Sequence, residues 1–305
     1  MTTKTSLTTA GVLILTVIMA VIFTACVADP EVYLIRAKYG PEGSVLRYSM
    51  QNHRVGSAFI NDEFQKEFET NSEAKITFTT KEVFEDGSAR LHEENIWSWD
   101  EPANDSGKVS RKTKKMNYLI HFSPRNRMLD LEIMDGRKDE ARLLYLKSYF
   151  EQMFTVFPEE EVPVGFNWTQ STDVTLPDST VHKSKTDYTI KGTTQKNGYF
   201  CAIIEGKGKS ALPVYDNPET ETVSWGIDRI EVNEIIYFAI DEGIVVLSES
   251  KSRIIIEREY YYYKKTEKDK DGKEAKLPEK DWTRVEETLR QEIDETSKFV
   301  LEKIK

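Results

Sequence analysis

Thr186-Asp187-Tyr188-Thr189-Ile190-Lys191-Gly192-Thr193-Thr194-Gln195, Lys196-Asn197-Gly198, Tyr199-Phe200-Cys201-Ala202-Ile203-Ile204-Glu205 is the stretch on which the fold turns. Its first arm alternates polar and apolar residues, its second is largely apolar, and an Asn-Gly pair stands between them. Asn-Gly suits a primed two-residue turn, because both backbones must reach positive φ and the turn then matches the twist of paired strands. The pattern predicts a β-hairpin. Its alternating arm suits a sheet wet on one face, and the continuous run 199–204 suits a central strand covered on both.

The same unit recurs in both directions. Lys75 to Phe84 and Ser88 to Trp97 flank Glu85-Asp86-Gly87, and Met116 to Phe122 and Arg127 to Met134 flank Ser123-Pro124-Arg125-Asn126. Ile235 to Ile240 and Ile244 to Ser248 flank Asp241-Glu242-Gly243, and Arg253 to Lys264 reads as a long strand. Val32 to Lys38 and Ser44 to Gln51, around Gly40-Pro41-Glu42-Gly43, predict a first hairpin. Two segments follow a helical period instead. Lys138 to Phe154 carries Ala141, Leu144, Tyr145 and Met153, with Leu143, Leu146 and Phe150 widening the stripe; Val285, Leu289, Ile293, Val300 and Ile304 predict a C-terminal helix over 281–304 capped by Asp281. The expected fold is therefore mainly β: antiparallel curved sheet(s) with one internal and one C-terminal helix. Two loosely similar halves, about 30–157 and 162–265, meet at the turn-rich stretch 157–165. Polar stretches 101–113 and 267–280 read as loops.

The chain has 305 residues, 39% hydrophobic and 31% charged, with a formal net charge of −10. That composition excludes collagen-like and wholly disordered classes. The acidic balance, with one tight basic cluster at Arg111, Lys112, Lys114 and Lys115, disfavours nucleic acid as a partner.

The first thirty residues carry an address. Lys4 is the one charge before Asp29, and the densest apolar part, Gly11 to Ala25, is shorter than the roughly 20 residues a bilayer crossing needs. A charged start, an apolar run and a small-residue site form a secretion signal. Phe23-Thr24-Ala25-Cys26 resembles the lipobox of bacterial lipoproteins. That resemblance implies cleavage after Ala25, leaving 1–25 as signal peptide and 26–305 as the mature domain, with Cys26 as the lipidated first residue. Loss of Lys4 with the signal takes the formal charge from −10 to −11. Several acyl chains would then hold the protein at the membrane, since one chain binds only marginally. The residues alone leave open an uncleaved anchor over 5–28, or an ordinary cleaved signal. With Cys26 acylated, Cys201 has no intrachain partner and reads as a buried, inert thiol.

Catalytic and cofactor motifs fail on their spacing. Glu267-Lys268-Asp269-Lys270-Asp271-Gly272 begins like a calcium loop, but its twelfth position is Pro278, where a bidentate glutamate is required. His92-Glu93-Glu94 lacks the second histidine of a helical zinc site, and Gly206-Lys207-Gly208-Lys209-Ser210 lacks the earlier glycine of a phosphate loop. No residue earns a catalytic, cofactor or metal role on this reading. Acid pairs among 52 acidic residues stay open, because their separation is unreadable in a sequence.

A signal, a lipobox, hairpin-rich sequence and a covering helix together resemble lipoprotein-carrier and related cell-envelope lipoproteins. The resemblance implies a noncatalytic envelope lipoprotein outside the cytoplasm, partnered by membrane lipid through Cys26, whose sheet binds an apolar ligand or an envelope partner protein. A structural or assembly lipoprotein without a small ligand, and a hydrolase, are the alternatives.

Overall fold

A computed structural model describes residues 31–101, 110–135, 140–175, 181–215, 222–264, 266–268, 274–276 and 283–304. In chain order the strands are β1 (Val32–Tyr33), β2 (Val45–Ile60), β3 (Glu63–Val83), β4 (Ala89–Glu101), β5 (Ser110–Phe122) and β6 (Met128–Ile133). Helix α1 (Glu140–Met153) follows, then β7 (Val162–Pro163), β8 (Asn167–Thr175), β9 (Val181–Lys196), β10 (Tyr199–Tyr215), β11 (Thr222–Ala239) and β12 (Ile244–Lys264). The last strands are β13 (Thr266–Lys268), β14 (Glu274–Lys276) and β15 (Thr283–Ile304). Eleven of them form one antiparallel sheet in the order β6-β5-β4-β3-β2-β15-β12-β11-β10-β9-β8. Two five-strand meanders thus lie on either side of β15.

The Asn-Gly hairpin is β9–β10. Lys196 pairs with Tyr199, and Asn197 and Gly198 both have positive φ, 52° and 87°. The β2–β3 turn is built alike from Asn61 and Asp62, at 50° and 63°, residue types that tolerate the left-handed region, and Asn61 Oδ1 accepts from the Thr288 N–H of β15 (2.9 Å). The hairpins expected around 85–87, 123–126 and 241–243 are present as β3–β4, β5–β6 and β11–β12.

Three expectations are overturned. Residues 281–304 do not form a helix: β15 is a strand through Thr283–Ile304, bonded along most of its length to β12 and β2. Val285, Leu289 and Ile293 recur every four residues, which keeps them on one side of a helix but equally on one side of a strand. Val32 to Lys38 does not pair with the strand after it; only Val32–Tyr33 is a strand, and it pairs with β7. The stretch 101–113 is not a loop at its end: 110–113 open β5, which carries the basic cluster, and there Arg111 reaches Glu73 and Asp100 at 2.5 and 3.3 Å and Lys115 reaches Glu94 at 2.5 Å.

The core gathers at one end of the sheet. Ile35, Phe157, Ile190, Ile204, Ile236 and Phe238 form one buried cluster, and Leu91, Tyr118, Ile120, Phe122, Leu131 and Phe150 form another. Leu143, Leu146 and Phe150 of α1 pack on the second, as their stripe predicts, and the helix lies against β6, β8 and β10. Extra residues at Lys81, Lys191 and Val246 make bulges in β3, β9 and β12 near this end. Bulges bend and twist a strand, so they help the sheet curl around its contents.

Residues 31–40 close that end as a strap. Ala37 N–H donates to Pro124 O (2.8 Å) in the β5–β6 turn, and Lys38 N–H donates to Gly243 O (3.1 Å) in the β11–β12 turn. Tyr39 Oη donates to Ser123 O (2.9 Å). The strap therefore ties the two meanders together where β15 does not reach. Gly243, at φ 68°, is required there, because a Cβ would sit 2.5 Å from Lys38 N.

Candidate functional site

Cys26 lies outside the described residues, as does the side chain of His182. Cys201 is buried on β10, and burial, aided by the Glu242 charge, pushes its thiol up. It is the inert thiol the sequence suggests, since a nucleophile needs the opposite shift. The calcium-like stretch falls partly outside the described residues, with Glu267–Lys268 in the small β13–β14 ribbon.

His121 and Ser88 meet at 3.1 Å (Nε2 to Oγ), with Asp86 close by. In a hydrolytic triad the histidine sits between serine and acid. Here Ser88 is the middle member: its hydroxyl and backbone N–H both donate to Asp86 and hold that carboxyl below the usual range. Ser88 is 2% exposed. The three residues stabilise the β3–β4 turn and present no accessible nucleophile.

Two acids stand on the core-facing side of the sheet, one in each meander. Glu93 on β4 is 2% exposed, cross-strand from Phe78 and Tyr118. Its Oε1 accepts from Asn95 Nδ2 (3.4 Å), while its Oε2 and Asn95 Oδ1 have no partner. Burial pushes the Glu93 carboxyl up to about 7, against the lowering effect of the Asn95 bond. Glu234 on β11 is half-buried as a residue, yet its carboxyl is enclosed and likewise pushed up to about 7 by burial, opposed by a bond from Tyr188. Tyr188 Oη in turn accepts from Thr155 Oγ1 (3.4 Å). Gly206 of β10 lies between the two: a Cβ there would stand 2.8 Å from Glu234 Cγ and from Tyr188 Cε1. The missing side chain is the gap across which β9 and β11 touch.

Neither acid was singled out as a site in the sequence, although a signal exists. Leu91, Glu93 and Val232, Glu234, Ile236, Phe238 each share one strand parity, so each acid interrupts an apolar row.

The opposite face carries a trough of about 740 Å3. Its outward side chains register across six strands as Glu73, Gln51, Lys298, Glu249, Ile235 and Glu205. Arg111 pairs with Glu73 (2.5 Å), Lys298 with Glu249 (3.5 Å) and Lys207 with Glu205 (3.1 Å). In the next row His53 Nδ1 lies 3.0 Å from Asn71 Oδ1, and Lys251 stands two strands away. Apart from Ile235 the lining residues are charged or polar, while the carbon stems of their side chains supply much of the floor, so the trough offers hydrogen-bonding groups spread over a partly apolar surface and suits a protein surface of mixed character.

A family model described as a family of unknown function (DUF6263) matches residues 131–227, less than half of the chain. The match runs from β6 through α1 into β11 and includes Tyr188 and Gly206, stopping before Glu234. No curated protein matches. Among solved structures, the TodX monoaromatic hydrocarbon channel deltaS2 mutant aligns at 8% identity over 87% of this chain and 92% of that one, with a TM-score of 0.11. That score carries no argument about either fold or function.

Proposed function

We propose that this chain is a noncatalytic lipoprotein of the cell envelope, anchored through Cys26, that presents its long polar sheet to an envelope partner protein in a structural or assembly role. One observation carries the choice of a partner protein over an acyl ligand. The curved end of the sheet is filled by the protein's own side chains, with Ile35, Phe157 and Phe238 at 0–1% exposure, while the trough on the other face is open and, Ile235 apart, lined by polar and charged residues. The address rests on Phe23-Thr24-Ala25-Cys26 and the uncharged run before it.

Mass spectrometry of the protein purified from membranes without delipidation tests both parts. The expected species begins at Cys26, carries acyl chains and retains no stoichiometric lipid beyond them. An intact peptide containing residues 1–25 would overturn the address, and a retained apolar ligand would restore the carrier role. The carrier is the second reading because Glu93 Oε2 and Asn95 Oδ1 have no hydrogen-bond partner, which a ligand hydroxyl, able both to donate and to accept, would supply.

A further inference from the structure

We infer that the outward side of the strap, Val32, Leu34, Arg36 and Lys38, is a contact strip for the surface of a lipid bilayer; the inference rests on the anchorage at Cys26 proposed above. The strap is extended, and its residues alternate strictly. Ile35 and Ala37 face the core at 0% and 7% exposure, with Tyr33 and Tyr39 half-buried beside them. The four residues between and before them are all exposed. Backbone bonds to Pro124 and Gly243 pin the strap, so this side cannot rotate inward.

The order along the strip suits a membrane interface. Val32 and Leu34 come first, 48% and 38% exposed, and Val164 stands 47% exposed beside Pro163, the partner of Val32. Arg36 and Lys38 follow, placed for lipid phosphates. Lys38 Nζ donates to Asp241 O (2.7 Å), a neutral acceptor that leaves its charge intact. Glu31, at the start of the row, accepts from the Tyr33 hydroxyl. Exposed acids flank the strip as well, Asp241 and Glu242 in the turn that Lys38 bonds and Glu160 and Glu161 ahead of Val162, so the two cations act at short range on individual phosphates and not through a basic field.

Tether length selects the occupant. Five residues lie between Cys26 and Val32, six steps of chain that span at most about 20 Å. The β2–β3 turn lies a 16-residue strand away from the closed end, roughly 50 Å. Acyl chains on Cys26 therefore hold the closed end at the bilayer. With that end held there, the long strands project away from the bilayer.

The test uses the acylated full chain, purified from membranes and reconstituted in phosphatidylethanolamine–phosphatidylglycerol vesicles. Nitroxide labels are placed singly by Leu34→Cys, by Val32→Cys as a second position on the strip, and by Glu63→Cys at the far turn. Acylation of Cys26 and burial of Cys201 leave each new thiol as the reactive one. The strip labels should be severalfold less accessible to a water-soluble nickel relaxant than the label at 63, and more accessible to oxygen. Arg36→Glu with Lys38→Glu should raise nickel access at position 34 while leaving the acyl mass and the melting temperature unchanged. Strip labels as open to nickel as the label at 63, on protein whose Cys26 is acylated, would overturn the strip alone. An unacylated Cys26 in the same sample would overturn the anchorage and the strip with it.

Discussion

Glu93 and Glu234 make the protein's stability depend on pH in an uncommon direction. Each carboxyl is raised from 4.5 to about 7 by burial, so the folded state holds a proton that the unfolded chain has already released. Their neutral forms are free of penalty below about pH 4.5. Stability then falls as pH rises from 4.5 to 7, by about 1.4 kcal/mol per unit for each group, and levels off above. Asp86, Asp187, Glu205 and Glu231 are held low by neighbouring donors and act oppositely, losing their contribution as pH falls through the acid range; Glu205 is half-buried and the other three exposed, and solvent screening keeps their effect small. Glu93→Gln keeps the shape and removes the ionisation. Urea midpoints at pH 5 and pH 8 should show it more stable than the parent at pH 8 by about 1–3 kcal/mol, with a smaller gain at pH 5. An equal effect at both pH values would mean that Glu93 is ionised in the folded protein. Gly206→Ala probes the other acid. Its methyl would meet Glu234 and Tyr188 together, and an overpacked site of this kind costs about 1–3 kcal/mol, read as a lower urea midpoint.

Hairpins and the internal helix were legible because their signals are local. Asn197-Gly198 sets a turn whatever surrounds it, and the Leu143, Leu146, Phe150 stripe ends in α1 as its period requires. The last strand was not legible in the same way, because a four-residue spacing belongs to both periods and the choice is made by distant partners. β15 fills the position between β2 and β12, whose backbone groups would otherwise face each other unpaired. On the core-facing side it buries Ile293 at 4% exposure and stacks Phe299 on Tyr48 at a 4.4 Å ring separation. Ile293→Ala should cost about 2–4 kcal/mol in a denaturant titration. Removing 283–304 should abolish cooperative unfolding, since it splits the sheet at its centre. A truncated chain that still melts cooperatively would mean that the two meanders fold without the strand. The strap escaped for the same reason as β15. Val32 to Lys38 alternates like a strand, yet its partners are turns about 90 and 200 residues along the sequence.

Across the whole molecule, nearly every pairing within a meander is local, while the pairings that join the meanders are among the most distant the chain contains. β2 meets β15 through Ser49 with Val300 and Phe59 with Arg290. Such contacts must close very large loops before they contribute, and folding slows accordingly. Refolding of the 27–305 fragment should therefore show hairpin-like circular dichroism well before the Tyr48–Phe299 stack reports its environment, with the slow phase lying in the range of milliseconds to seconds or longer. Coincident single-phase kinetics by both probes would show that the meanders and the central strand form together. The site residues divide along the same line: Glu93 with Asn95 is readable within one strand, whereas the trough requires six strands in register and has no signature in any one of them.

The central place of β15 gives the chain a built-in check on its own completeness. A product released early, or clipped before Thr283, keeps all ten neighbouring strands of the sheet but leaves β2 and β12 as two long, bare edges. Open edges of that length recruit other chains and expose backbone to proteases, so defective copies would be marked for removal by the very geometry that hides those edges in intact ones.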